Sequence, residues 1–207
     1  MDAVDEAFEA VPRAGFLPEP VRHRASYDGP LDIGHGQTNS QPRTVANMLR
    51  LLDVRPGSRI LDVGSGSGWT TALLAHLTGP DGSVLGVEIV PELVETGAAN
   101  LRATGLTWAS IEQSRPDVLG RPDLAPFDRI LVSAAARTLP EELVSQLSDD
   151  GRLVVPVVGT MTVVARSGAD RTVTEHGSYR FVPLVGPSSL AQRVRRTVVR
   201  PPGGRGG

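Results

Sequence analysis

The 207-residue sequence contains no cysteine. That excludes a disulfide framework, a thiolate metal site and a cysteine nucleophile. Lysine is absent too, since all 21 basic residues are arginines. A phosphate loop of the lysine type, Schiff-base chemistry and the kinase lysine are therefore ruled out. No apolar run approaches the ~18 residues that a membrane-crossing helix needs. The opening MDAVDEAFEAVPR is acidic and lacks a continuous apolar stretch, so no signal peptide is expected and the expected location is the cytoplasm. With 21 basic and 23 acidic residues the net charge is −2, whereas a dedicated nucleic-acid binder usually carries a basic excess. His23, His35, His76 and His176 have no ligand-like spacing, and no metal is expected.

What is present is an ordinary globular composition, 40% hydrophobic and 21% charged, in a chain of one-domain length. Residues 2–10 open with acids and suit a helix. Residues 26–41, SYDGPLDIGHGQTNSQ, are rich in Gly and Pro but carry Tyr27, Leu31 and Ile33, and read as an ordered loop. Ser40 suits an N-cap for a helix at 42–53, where Val45, Met48, Leu49 and Leu52 share one face. From Arg59 strands and helices alternate: strands at 59–63, 83–90, 107–112, 128–136 and 151–158, with helices at 69–78, 91–105 and 140–147. Residues 160–166 and 170–176 suggest a hairpin turning at Gly168, and 179–185 a last strand. The pattern predicts an α/β fold with a doubly wound, mostly parallel sheet and antiparallel C-terminal strands. Residues 187–207 hold five arginines and no acid, and read as a flexible basic tail. Phe16, Phe127 and Phe181 read as core anchors, and Trp69 and Trp108 as packing residues.

The strongest local signal is Asp62-Val63-Gly64-Ser65-Gly66-Ser67-Gly68, set between a strand and a helix. Glycines there let a ligand approach the backbone, and the helix start offers free N–H groups. Glu88 ends the next strand, where a carboxylate can accept hydrogen bonds from both ribose hydroxyls. The order strand, glycine loop, helix, strand, acid points to a nucleoside cofactor.

At this point the chain resembles a class I S-adenosylmethionine-dependent methyltransferase. The segments VPRAGFLP, IGHGQTNSQP, ILDVGSGSGWTTALLA, APFDRILVSAAA, GRLVVPV and RFVPLVG narrow the likeness to the protein-L-isoaspartate O-methyltransferase family, over roughly residues 8–186. The resemblance implies a Rossmann-like, seven-stranded sheet in one domain, 1–186. Residues 1–56 are then a substrate and cap segment, and 57–186 the cofactor core. It also implies transfer of a methyl group from S-adenosylmethionine, leaving S-adenosylhomocysteine, to the free carboxylate of L-isoaspartyl residues in damaged proteins or peptides. That ester starts repair through a succinimide. Asp62, Gly64, Ser65, Gly66, Ser67, Gly68, Glu88 and Asp117 are the implied cofactor contacts, and Ser40 the catalytic residue beside the reacting groups. Ile33, Gly34, His35, Thr38, Asn39, Val132, Ser133 and Ala134 are the implied substrate contacts.

Three features depart from the family pattern. Asn39 stands where an isoleucine is usual, Arg115-Pro116-Asp117 replaces Gly-Asp-Gly, and Trp69 follows the glycine loop in place of the commoner Tyr. The first two leave open a carboxyl methyltransferase for another dedicated peptide or small acid. A non-catalytic cofactor-binding protein is a third reading. The chemistry itself needs no strong base, because a carboxylate with a pKa near 4 is already ionised at pH 7. Alignment can supply on the order of 7–11 kcal/mol of the barrier reduction. For Ser40 two roles stand open, the helix N-cap and a hydroxyl that orients the carboxylate. A single chain acting without nucleic acid or membrane is expected.

Overall fold

The computed structural model describes residues 2–115 and 117–185. The basic tail 187–207 and Pro116 lie outside the described residues. Helix α1 (Ala3–Ala10) starts in a capping box: Asp5 N donates to Asp2 Oδ1 at 2.9 Å and Asp2 N to Asp5 Oδ2 at 3.2 Å. A 3₁₀ turn at Arg13–Phe16 and the short α2 (Glu19–Arg22) follow. Residues 26–41 are more ordered than their Gly and Pro content suggests. They form an antiparallel hairpin of β1 (Leu31–Gly34) and β2 (Gln37–Asn39). Leu31 and Ile33 point inward onto Leu17 and Leu93, which supplies the burial that such short strands cannot generate alone. The tip at Gly34, His35 and Gly36 has positive φ throughout.

Helix α3 (Pro42–Leu52) buries Val45, Met48, Leu49 and Leu52, as their spacing predicts. Its N-cap is Gln41, with no capping side chain, so the reading of Ser40 as the cap is overturned. Pro42 at the first helical position lacks the N–H that such a cap would satisfy nearby, and its ring presets the helical φ. Next come β3 (Arg59–Val63), α4 (Trp69–Thr78), β4 (Ser83–Glu88), α5 (Pro91–Ala103) and β5 (Ala109–Gln113). The chain then crosses back to β6 (Phe127–Val132), α6 (Glu141–Val144) and β7 (Leu147–Val157). The hairpin β8 (Thr160–Ser167) and β9 (Asp170–Ser178) closes the sheet.

The seven-stranded sheet runs β5-β4-β3-β6-β7-β8-β9. Its first five strands are parallel and the last two antiparallel, as the pattern predicts. Ile60, Val84 and Ile111 pack on one face with α1, α3 and α4, and Leu61, Val63, Ile130 and Val132 on the other with α6. The chain order reverses at β3, so a crevice opens beyond its C-terminal end, where open α/β sheets bind ligands.

Several boundaries move, two of them for reasons plain in the contacts. The expected helix 140–147 spans only 141–144, because Gln146 is drawn into the crossover. Its Nε2 donates to Leu119 O, and its Oε1 accepts from Arg121 N. The expected strand 179–185 is an extended segment with one bridge, Pro183 to Ala135. Proline has no N–H to offer a ladder, and the bridge consists of Ala135 N donating to Val182 O and Leu184 N to Ala135 O.

The β7–β8 turn is Val158-Gly159, with φ of 48° and 85°. Two-residue hairpin turns of this kind favour Asn-Gly, and a β-branched residue there is strained. Val158 is 77% exposed, so its side chain gains little from packing. Val158→Asn should raise stability by about 1 kcal/mol, a midpoint increase of roughly 2–4 °C in thermal unfolding. A lower midpoint would show that the turn tolerates valine without strain.

Candidate active site

Strand β3 delivers the glycine loop to the mouth of the crevice. Gly64 N and Ser65 N donate to Val87 O at 2.8 and 3.2 Å, and Ser133 N donates to Val63 O at 2.9 Å. The ends of β3, β4 and β6 are thus stitched together. Gly68 caps α4 with φ 91°, and a Cβ on it would lie 2.9 Å from Gly97 O. A Cβ on Gly97 would in turn lie 2.8 Å from Gly66 O. The loop and α5 therefore meet backbone to backbone, which only glycine permits.

Glu88 holds this loop from the next strand. Its Oε2 accepts from Gly66 N at 2.9 Å, and its Oε1 from Ile89 N at 2.7 Å and Val90 N at 3.0 Å. The last two bonds end β4 at Glu88, two residues before the expected end, and turn the chain into α5. A carboxylate has about four acceptor positions, so capacity remains for a ligand hydroxyl.

Asp62 lies beneath the loop and is fully buried. Its Oδ2 accepts from the hydroxyls of Thr70 at 2.8 Å and Thr71 at 2.7 Å. Burial pushes its pKa up to about 6, against the opposing pull of those hydroxyls. Asp62 Oδ1 and Ser65 Oγ are buried and without a hydrogen-bond partner among the described residues.

Over the loop sits the β1–β2 hairpin. Ile33 Cδ1 lies 3.3 Å from where a Cβ on Gly66 would stand. Asn39 is buried; its Nδ2 donates to Ser67 Oγ at 3.2 Å and its Oδ1 accepts from Arg13 Nε at 2.7 Å. Arg13 also donates to the carbonyls of Tyr27, Gly29, Asn39 and Ser40, at 2.8–2.9 Å. Its guanidinium stands 5.5 Å from the Trp69 ring centroid, and burial lowers its pKa to about 10. The Trp69 ring is fixed by Phe8, edge to face at 5.2 Å, and by its own Nε1–H to Val11 O.

These elements enclose one cleft, whose empty space, open mouth included, is about 960 Å³. Gly64, Ser65, Gly66, Ser67 and Glu88 line one wall. Ile33, Thr38, Asn39 and Ser40 line the facing wall, and Ser133 and Ala134 the end of β6. Six sequence-stated candidates stand outside the lining. Asp62 lies below the loop, and Gly68 is taken up in helix packing. Val132 is buried in the sheet, and Gly34 sits at the hairpin tip. His35, also at the tip, is 4.0 Å from Glu92. Asp117 is exposed, while its neighbours Ser114, Arg115 and Val118 face the cleft. The sequence reading gave no role at the site to Arg13 or Val182–Val185, although each falls in a motif quoted above; Trp69, read as a packing residue, packs on Phe8 and also lines the cleft. Val182 to Val185 form a further wall of the cleft. Among the described residues no three His, Asp or Glu side chains cluster to hold a metal ion, and no helix is long and apolar enough to cross a membrane.

Comparison with known proteins agrees with this geometry. Residues 1–189 match the family described as Protein-L-isoaspartate(D-aspartate) O-methyltransferase. A protein-L-isoaspartate O-methyltransferase of Methanocella arvoryzae is 43% identical over 181 residues, 86% of this chain and 96% of that one. One from Methylorubrum extorquens is 44% identical over 188 residues, 88% and 80% of the two chains. Among solved structures, a Plasmodium falciparum protein described as a protein-L-isoaspartate O-methyltransferase in complex with S-adenosyl-L-homocysteine superposes with a TM-score of 0.77. It is 28% identical, and the match covers 90% of this chain and 91% of that one.

The buried acid gives a test of the site's electrostatics. The folded-state pKa of Asp62 lies above its ordinary value of 3.8. The folded protein therefore binds the extra proton between about pH 4 and 6, and stability is lost as pH rises through that window. Asp62→Asn removes this loss. Its stability relative to wild type should increase from pH 4 to pH 7 by on the order of 3 kcal/mol, read from urea unfolding. A difference that stays level across this range would mean Asp62 is ionised throughout.

Proposed function

The chain belongs to the protein-L-isoaspartate(D-aspartate) O-methyltransferase family, and from that premise we propose how its cleft works. It is an S-adenosylmethionine-dependent enzyme that methylates the free carboxylate of L-isoaspartyl residues in damaged proteins, the step that opens repair through a succinimide. The observation that carries the reading is the shared cleft: the glycine loop with Glu88 on one wall, and the Ile33–Ser40 segment on the other.

The residues present suit S-adenosylmethionine. The loop offers at Gly64 and Gly66 backbone that carries no side chain of its own, Ser65 Oγ is a buried hydroxyl without a partner among the described residues, and Glu88 keeps acceptor capacity. Gly64, Ser65, Gly66 and Ser67 hold the methionine and ribose portions, with Glu88 on the ribose hydroxyls. Asp62 and Gly68 support that loop from below and behind. Ser114, Arg115 and Val118 face the adenine end, with Asp117 beside them. When bound, the cofactor supplies a methyl group activated by its sulfonium. The chain's own residues supply position and dryness. Ile33, Val182 and Leu184 give the cleft an apolar wall, which favours a step in which opposite charges cancel. Ser40 is free of any capping duty, so its hydroxyl can orient the substrate carboxylate by one hydrogen bond. Thr38, Asn39, Ser133 and Ala134 line the approach. Gly34 and His35 border it from the hairpin tip, and Val132 sets the height of the 133–134 segment.

We read residues 1–56 as a cap and 57–186 as a cofactor core within one domain. A single chain supplies both walls, which supports action as a monomer. Balanced charge favours protein substrates over nucleic acid or membrane, and the cytoplasm is the proposed location.

Three measurements check this. An isoaspartyl peptide should accept a methyl ester, while the matching aspartyl peptide should not; ester on another carboxylate alone would redirect the substrate, and binding of S-adenosylhomocysteine without transfer would end the enzymatic reading. Ser40→Ala should lower kcat on the order of tenfold while the Kd for S-adenosylhomocysteine stays within about twofold. Equal loss of both would refute the orienting role. Glu88→Ala should weaken S-adenosylhomocysteine binding by roughly 1–3 kcal/mol in calorimetry, and an unchanged Kd would exclude this acid.

A further inference from the structure

Asn39 places a primary amide, 5% exposed, between two loops that otherwise meet through apolar contact. A buried amide must find partners for both of its ends. Here each end goes to a different half of the cleft. The Oδ1 end takes Arg13 Nε–H, and Arg13 in turn grips the carbonyl of Ser40 at 2.9 Å. The Nδ2 end reaches Ser67 Oγ on the cofactor loop. Ser67 is held from behind as well, since Asn100 Nδ2 donates to its carbonyl at 3.0 Å. One continuous path of hydrogen bonds therefore runs from the backbone of Ser40 through Arg13 and Asn39 to the glycine loop. An apolar side chain at position 39 would leave the Arg13 Nε–H without this acceptor and cut the path at both ends.

Resting on the site reading above, we propose that Asn39 is a positioning residue that ties the Ser40 loop to the cofactor loop, so that filling the cofactor half of the cleft orders the substrate half. The contact is directional where the neighbouring Ile33–Gly66 contact is not. It fixes how far along the loop the hairpin sits, as well as how close. Its effect on chemistry runs through Ser40 and the hairpin; Asn39 need not touch the reacting atoms.

The test compares wild type with Asn39→Ile and Asn39→Asp. Asp keeps the acceptor for Arg13, and Ile keeps neither bond. Amide hydrogen exchange of residues 31–40 is measured with and without S-adenosylhomocysteine. Alongside it run thermal unfolding, and kcat and KM on an isoaspartyl peptide at saturating cofactor. In wild type, S-adenosylhomocysteine should slow exchange across 31–40 by on the order of tenfold. The slowing should shrink in Asn39→Asp and be smallest in Asn39→Ile. At temperatures well below unfolding, kcat should fall in the same order, by about tenfold for Ile, with a smaller change in KM. Equal ligand-induced protection in wild type and Asn39→Ile, both folded, would overturn the proposal, as would a kcat unchanged in either variant. If Asn39→Ile does not fold, Asn39→Asp decides on the same readouts. If wild type forms no ester on the peptide, the functional reading fails, and the exchange comparison still decides the role of Asn39.

Discussion

The guanidinium of Arg13 is buried with no carboxylate in hydrogen-bond contact among the described residues, and it is satisfied by an amide oxygen and backbone carbonyls. A buried cation left short of acceptors is strongly destabilising, so these carbonyls must converge wherever Arg13 goes. They belong to Tyr27, Gly29, Asn39 and Ser40, which bracket the β1–β2 hairpin. The requirement to solvate one charge therefore draws both feet of the hairpin to one point. The hairpin is then suspended over the glycine loop, and Trp69, whose ring lies alongside the guanidinium, anchors the arrangement to the first turn of α4. The β1–β2 hairpin and the first turn of α4 meet around a cation that no local sequence rule reveals.

The parts of the chain that could be read in advance are those whose local pattern and tertiary environment agree. Val45, Met48, Leu49 and Leu52 fall on one helical face and are buried there. The strand–loop–helix–strand unit from Arg59 to Glu88 is written twice over, in apolar runs and in glycines, and its strands pair in parallel. The readings that failed did so where a distant partner overrode the local signal. The hairpin was hidden because Gly34 and Gly36 look like loop residues, while its stability comes from Leu17 and Leu93 elsewhere in the chain. The helix after Pro140 stops early because Gln146 serves the β5–β6 crossover and Leu147 pairs with Phe127. Ser40 looks like a cap because serine before a helix usually is one, but the cap position falls to Gln41, just before Pro42.

The candidate site was legible for the same reason in part. Glycine spacing and an acid at a strand end report on local geometry, so the sequence points to Gly64, Gly66 and Glu88, and these line the cleft. The wall built by Val182–Val185 was not, since an extended apolar segment carries no chemical signature until Ala135 fixes it at the cleft. Asp62 illustrates a different separation. It belongs to the loop by sequence, yet faces away from the cleft and binds Thr70 and Thr71 of the following helix. Its carboxylate braces the turn from below, at an electrostatic cost that grows as the acid ionises.

The backbone contact between the glycine loop and α5 limits how this site can diverge over time. Gly68 faces the carbonyl of Gly97, and Gly97 faces the carbonyl of Gly66, each within 3 Å of where a methyl group would stand. An alanine at either position forces the helix off the loop, and a second change cannot compensate, because the obstructing atoms are main chain and have no smaller alternative. Gly68 and Gly97 are thus tied together although 29 residues separate them. Drift is left to the side chains that cap the cleft, while its floor cannot change without loss of the helix that supports it.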